Sequence, residues 1–188
     1  MSPFPALSPD PFPEAAAPLE EACAPAPRDV GAAVAFALSR RRKGDDRPVL
    51  MTAPRAWFVE YGRPYGPGIA GVPLILTSAS TLAEALWAME QGLRSGAVSL
   101  GLGAVEGATL AQTRRLDFAA KQGEAVGLIL SRGLEGLSAA RRRWRISTQA
   151  SAMDPEDDRA PGPGRSPRPR VSSARRRPGP GAPSGLAA

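Results

Sequence analysis

Pro73 to Gly103 limits the possible folds more than any other stretch of this chain. It begins with an apolar run, Pro73-Leu-Ile-Leu-Thr-Ser78. A capped amphipathic segment follows from Thr81 to Arg94, then a stop at Ser95-Gly96. A second apolar run, Ala97-Val-Ser-Leu-Gly-Leu-Gly103, closes the unit. Two buried strands joined by a helix of that length pair in parallel, because an antiparallel pair needs only a tight turn. The same rhythm recurs on both sides of the stretch. Repeated β-α-β units predict an α/β fold, a predominantly parallel sheet flanked by helices, with its ligand cleft at the carboxyl ends of the strands.

Composition places the edges of that domain. Among 188 residues, 21 prolines and 20 glycines exceed what a uniformly folded chain carries, and they crowd the ends. Residues 1–28 hold eight prolines, and residues 159–188 hold twelve prolines and glycines. Residues 1–18 contain only scattered large apolar side chains (Phe4, Leu7, Phe12). They are expected to be disordered, since ordering costs roughly 1–2 kcal/mol per residue. Residues 19–150 form the expected core, and 151–188 an Arg/Pro/Gly-rich disordered tail. The net charge of +6 is uneven: −3 over residues 1–28, +6 over 29–150 and +3 beyond. A basic body suits anionic partners, weak DNA contact among them, although twenty-two Arg against two Lys also fits a compositional bias.

Within the core, Leu19 to Cys23 reads as a short edge strand. Asp29 is placed to cap a helix over Val30 to Arg42, with Val30, Val34 and Leu38 on one stripe. Pro48 to Thr52 is a buried strand, and Pro54 to Gly71 a long connection. Leu74 to Thr77 is the next strand. Thr81-Leu-Ala-Glu84 and Thr109-Leu-Ala-Gln112 are capping boxes opening two further helices, the second ending at Gln122 before Gly123. Val98 to Leu102 and Val126 to Leu130 are strands. Leu134 to Ala140 is predicted to be a short helix, and Trp144 to Thr148 a final edge strand. Trp87, off the leucine stripe of its helix, is expected to pack against a second helix.

Several chemistries are excluded by residue type. The chain has no His, which removes His-based zinc sites, Ser-His-Asp and Cys-His systems and the usual general base. Cys23 is alone, so it has no intrachain partner for a disulfide. No run is long enough to cross a membrane and no leader pattern opens the chain, so a cytoplasmic protein is expected. A phosphate-cradling loop needs Gly-x-x-x-x-Gly-Lys-[Ser/Thr] at a helix opening. Here the matching residues are Ala26-Pro-Arg-Asp-Val-Gly31-Ala32-Ala33. Gly31 stands at the second glycine, and Ala32 and Ala33 replace the lysine and the hydroxyl residue. Asp29 adds negative charge. The strand at Val98 ends without an acid before Glu106, which is expected to be a loop residue. The cofactor site is therefore degenerate, and no cofactor, metal or catalytic residue is expected.

The order of these elements resembles RecA, and in more detail the chain resembles the ImuA family, RecA-like and SulA-related inducible mutagenesis proteins. The motifs are Glu60-Tyr-Gly-Arg-Pro-Tyr-Gly-Pro-Gly68, Ala85-Leu-Trp-Ala-Met-Glu90, Thr113-Arg-Arg-Leu116 with Ala119-Ala120, and Ser138-Ala-Ala140 before Arg143-Trp-Arg145. Together they cover residues 19 to 148. The C-terminal part departs from the family, whose members continue into a Trp-containing β segment. The resemblance implies a RecA-like core without ATPase activity. Its implied role is that of an accessory protein in DNA-damage-inducible translesion synthesis. The implied partners are an ImuB-like Y-family polymerase relative and an error-prone DNA polymerase, with RecA as a further partner.

The candidate contact residues each keep two readings. Tyr61, Arg63 and Tyr65 either form an interaction surface or pin their loop to the sheet. Arg114 and Arg115 either meet a partner or DNA, or lie on a solvated helix face. Arg141, Arg142, Arg143 and Arg145 surround Trp144, either as a nucleic-acid patch with a stacking aromatic or as the flanks of a core residue on the edge strand. The rival functions are a SulA-like cell-division inhibitor of the SOS response and a RecA-like ATP- or DNA-binding protein.

Overall fold

A computed structural model describes residues 15–64 and 71–148, and the backbone of 169–173. The chain runs β1 (Leu19–Cys23), α1 (Val30–Ser39), β2 (Val49–Pro54), α2 (Arg55–Tyr61), β3 (Leu74–Ala79) and α3 (Leu82–Arg94). It continues through β4 (Leu100–Gly103), α4 (Leu110–Gln122), β5 (Val126–Ser131), β6 (Arg142–Thr148) and β7 (Pro169–Ser173). One sheet has the order β3-β2-β4-β5-β1-β6-β7. The first six strands pair in parallel, and β7 adds antiparallel to β6. The α/β architecture is thus the one the β-α-β reading predicts.

Each sheet face has its own apolar core. Alternate residues of a strand point to opposite faces. On one face, Ala22, Met51, Leu100, Leu102 and Leu128 meet Ala33, Phe36 and Ala37 of α1, with Trp57, Phe58 and Tyr61 of α2 at the margin. On the other, Leu19, Leu50 and Ile129 meet Leu86, Met89 and Leu93 of α3 and Leu116 and Ala120 of α4. The two capping boxes act as expected. Thr81 Oγ1 accepts from Glu84 N at 3.2 Å. Thr109 Oγ1 accepts from Gln112 N at 3.3 Å, while Gln112 Oε1 accepts from Thr109 N at 2.8 Å. Gly123 lets the end of α4 press on the end of α3, where an added Cβ would overlap the Leu93 carbonyl oxygen. At that same end of the sheet, Arg47 donates to the carbonyls of Gly96, Gly123 and Glu124, which the two helices leave without helical donors.

Several expectations are corrected. Residues 19–23 are not an edge: β1 lies between β5 and β6 and every residue in it is buried. Residues 144–148 are not the final edge either, because β7 pairs beyond them. Arg55–Tyr61 is a two-turn helix, since Trp57, Phe58 and Tyr61 share one apolar face. Residues 132–141 hold no helix. That connector must return the length of a strand, roughly 17–20 Å. Its backbone donors are taken by other elements: Ala139 N–H by Thr113 Oγ1 at 3.0 Å and Arg141 N–H by the Leu19 carbonyl at 3.0 Å. α1 stops at Ser39, short of Arg42. Trp87 is 62% exposed and does not pack beneath a second helix. Residues 1–14, 65–70, 149–168 and 174–188 lie outside the described residues, so most of both expected disordered ends does too. Residues 15–18 are described, with Ala17 buried and the Pro18 carbonyl accepting from Gly127 N at 2.7 Å.

Candidate functional site

Chain leaves β1 over the α1 face and β4 over the α4 face, so a cleft opens at their carboxyl ends. The residues aligned with a phosphate loop sit there, between β1 and α1. The strand-loop-helix scaffold is thus present, with Ala32 and Ala33 at the positions where a phosphate cradle carries its lysine and hydroxyl residue. The cleft holds a half-open pocket of about 250 Å³ lined by Ala24, Val30, Ala33, Pro54, Ala104 and Leu130, among others. Gly31 is exposed in the first turn of α1, and an added Cβ there would meet nothing within 4 Å. Ala32 is half-buried and Ala33 fully buried.

Asp29 does not cap α1 with its side chain. Its carboxylate accepts from Thr148 N at 2.8 Å and from Ala26 N at 3.3 Å, tying the loop to the end of β6. Burial pushes the carboxyl up, but the hydrogen bonds from Thr148 and Ala26 and the Arg28 charge outweigh it and hold it below its usual value. At the end of β4 the first acid is Glu106, half exposed and 3.3 Å from Arg132 across the cleft mouth.

The predicted contact residues fall into distinct settings. Tyr61 packs its ring 5.1 Å from Trp57, and its hydroxyl is enclosed with no hydrogen-bond partner among the described residues. Glu60 beside it, then burial, raise the phenol above its usual value, although Glu60 does not reach full hydrogen-bonding geometry. Arg63 is exposed just past α2, and Tyr65 lies outside the described residues. Arg114 is exposed on α4. Its neighbour Arg115 reaches Glu90 of α3 at 2.5 Å, as Arg94 does. Phe118, 64% exposed, shares α4 with them. Arg141 and Arg145 are exposed. Arg142 and Arg143 are engaged inward, on Glu20 at 3.4 Å and Glu21 at 2.8 Å.

That inward engagement belongs to a network absent from the sequence reading. The register sets Glu20 beside Arg142 and Glu21 beside Arg143. The fully buried Glu20 carboxylate accepts from Arg40 Nε and Nη2, both at 3.0 Å, from Trp144 Nε1 at 2.9 Å and from Ala17 N at 2.8 Å. The Arg40 guanidinium lies 5.6 Å from the Trp144 ring centroid and 5.9 Å from that of Phe36. Two adjacent acids inside an apolar strand were the available signal, since buried carboxylates need cationic partners.

No family model matches the sequence, and no curated protein matches it. Among solved structures, the crystal structure of SulA from Pseudomonas aeruginosa is similar. It is 22% identical, with 61% of this chain and 98% of that chain covered and a TM-score of 0.44. Among the described residues no helix is long and apolar enough to cross a membrane.

Proposed function

We propose that this chain is a non-catalytic adaptor of a damage-inducible translesion synthesis complex, an ImuA-like protein. Its partners would be an ImuB-like polymerase relative and an error-prone DNA polymerase. The observation that carries the reading is the cleft between β1 and α1. The turn that would cradle a triphosphate is walled by alanine, proline and valine; of its two ionised groups, Asp29 is anionic and buried, and Arg28 points to solvent beside it. With alanines at the lysine and magnesium-binding hydroxyl positions, the cations left near the turn are Arg28, beside Asp29, and Arg132, paired with Glu106. Work is then done through surfaces. Arg63, Arg114, Arg141 and Arg145 are exposed, and Trp87 and Phe118 are exposed aromatics on neighbouring helices. Aromatic and arginine side chains dominate binding hot spots. The family motifs at Ala85–Glu90 and Thr113–Leu116 lie on those same two helices.

Two measurements test the proposal. ATP with magnesium at millimolar concentration should leave the melting temperature unchanged, and an ImuB-like protein should be retained by the immobilised chain. A nucleotide-induced rise in melting temperature would refute the non-catalytic reading. Filamentation on expression, with no retention of the polymerase relative, would favour a division inhibitor instead.

A further inference from the structure

The cavity in the strand-end cleft suits a ligand other than a nucleotide. Its walls include Ala33, Pro54, Trp57, Leu82, Ala104 and Leu130, and its polar groups are few. A mostly apolar concave site with a few polar groups is the usual form of a small-molecule pocket. Glu60, Glu106 and Arg132 stand among the lining residues, with Arg132 already committed to Glu106. That balance disfavours an anion. Tyr61 also lines the cavity; its enclosed hydroxyl lies near Glu60 and Arg132 but meets neither in full hydrogen-bonding geometry. A buried donor left unmade favours any occupant that supplies an acceptor.

We infer that this cleft binds a small neutral aromatic molecule carrying one hydrogen-bond acceptor, its ring against Trp57 and its acceptor on the Tyr61 hydroxyl. The site does not depend on the partners proposed above. The test uses the full chain and three probes of one ring size: acetophenone, ethylbenzene and benzoate. Binding is read from saturable NMR shifts of the Trp57 indole N–H. Acetophenone should saturate the site and benzoate should bind at least ~10-fold more weakly, the cost of burying an unpaired charge. Tyr61→Phe should weaken acetophenone by about 3- to 10-fold, the range of one hydrogen bond, and leave ethylbenzene unchanged. Ala56→Leu, at an exposed position lining the mouth, should block both neutral probes without touching the core. The inference is overturned by no saturable response, by benzoate binding as tightly as acetophenone, by affinity that survives Ala56→Leu, or by a Tyr61→Phe variant that treats acetophenone as wild type does.

Discussion

Replacing Arg40 by Met tests the charge network that joins β1, α1 and β6. Arg40 and Glu20 are 3% and 0% exposed at their side chains, and two 3.0 Å hydrogen bonds link them. Removing one member of a buried ion pair costs about 3–5 kcal/mol, because the other is left in a low-dielectric interior. Glu20 would keep the Trp144 and Ala17 donors and the longer Arg142 contact. The loss should therefore fall near the lower end, about 3 kcal/mol. For a domain of this size that lowers Tm by roughly 10 °C. Glu20→Met removes the acceptor that Arg40, Arg142 and Trp144 share, and should cost about 3–5 kcal/mol. The double variant should cost no more than the worse single one, a coupling of at least about 3 kcal/mol. Urea unfolding followed by far-UV circular dichroism measures all three, with the m-value as the check that only stability changed. Single losses below about 1 kcal/mol, or losses that simply add, would refute the buried-pair argument.

Three further outcomes follow from the same geometry. Asp29 has its pKa depressed in the folded state, so its stabilisation is complete above the unfolded value, about 3.9, and is lost as pH falls through the folded one. Asp29→Asn should therefore lower stability at pH 7 by about 1–2 kcal/mol and flatten the acid limb of the stability–pH curve; an unchanged acid limb would contradict this. Gly123→Ala should destabilise by about 1–3 kcal/mol as α3 and α4 are forced apart, read from the urea midpoint. Arg114→Glu with Arg145→Glu should abolish retention of the polymerase relative or of DNA while moving Tm by little. Unaltered retention would exclude both side chains as contacts.

Local chemistry made much of the fold legible. Thr81 and Thr109 announce their helices because the cap partner is three residues away. Leucine and valine runs likewise mark β4 and β5. What the sequence conceals depends on residues far apart. Leu19 to Cys23 reads as an edge strand because Arg142 and Arg143, which pair with Glu20 and Glu21, stand about 120 positions later. The Leu134–Ala140 segment has helix-compatible composition, yet Thr113, far away in sequence, takes the Ala139 N–H. α2 was legible in principle from Trp57, Phe58 and Tyr61, but the prolines and glycines that follow hid it within a longer loop. At the cleft, the absent lysine could be read directly. The Tyr61 hydroxyl and its pocket could not, since they arise where α1, α2 and four strand ends converge.

The position of β1 also has a consequence for biosynthesis. Its two neighbours, β5 and β6, are the strands made more than a hundred residues after it. On the ribosome it emerges first and waits longest, a high-contact-order arrangement that slows productive collapse. Its paired acids keep that waiting segment hydrated and deter premature β-association. Only when the late arginines arrive does the charge become a reason to dock, so any ribosomal stall before Arg142 would leave a nascent chain unable to seal its own centre.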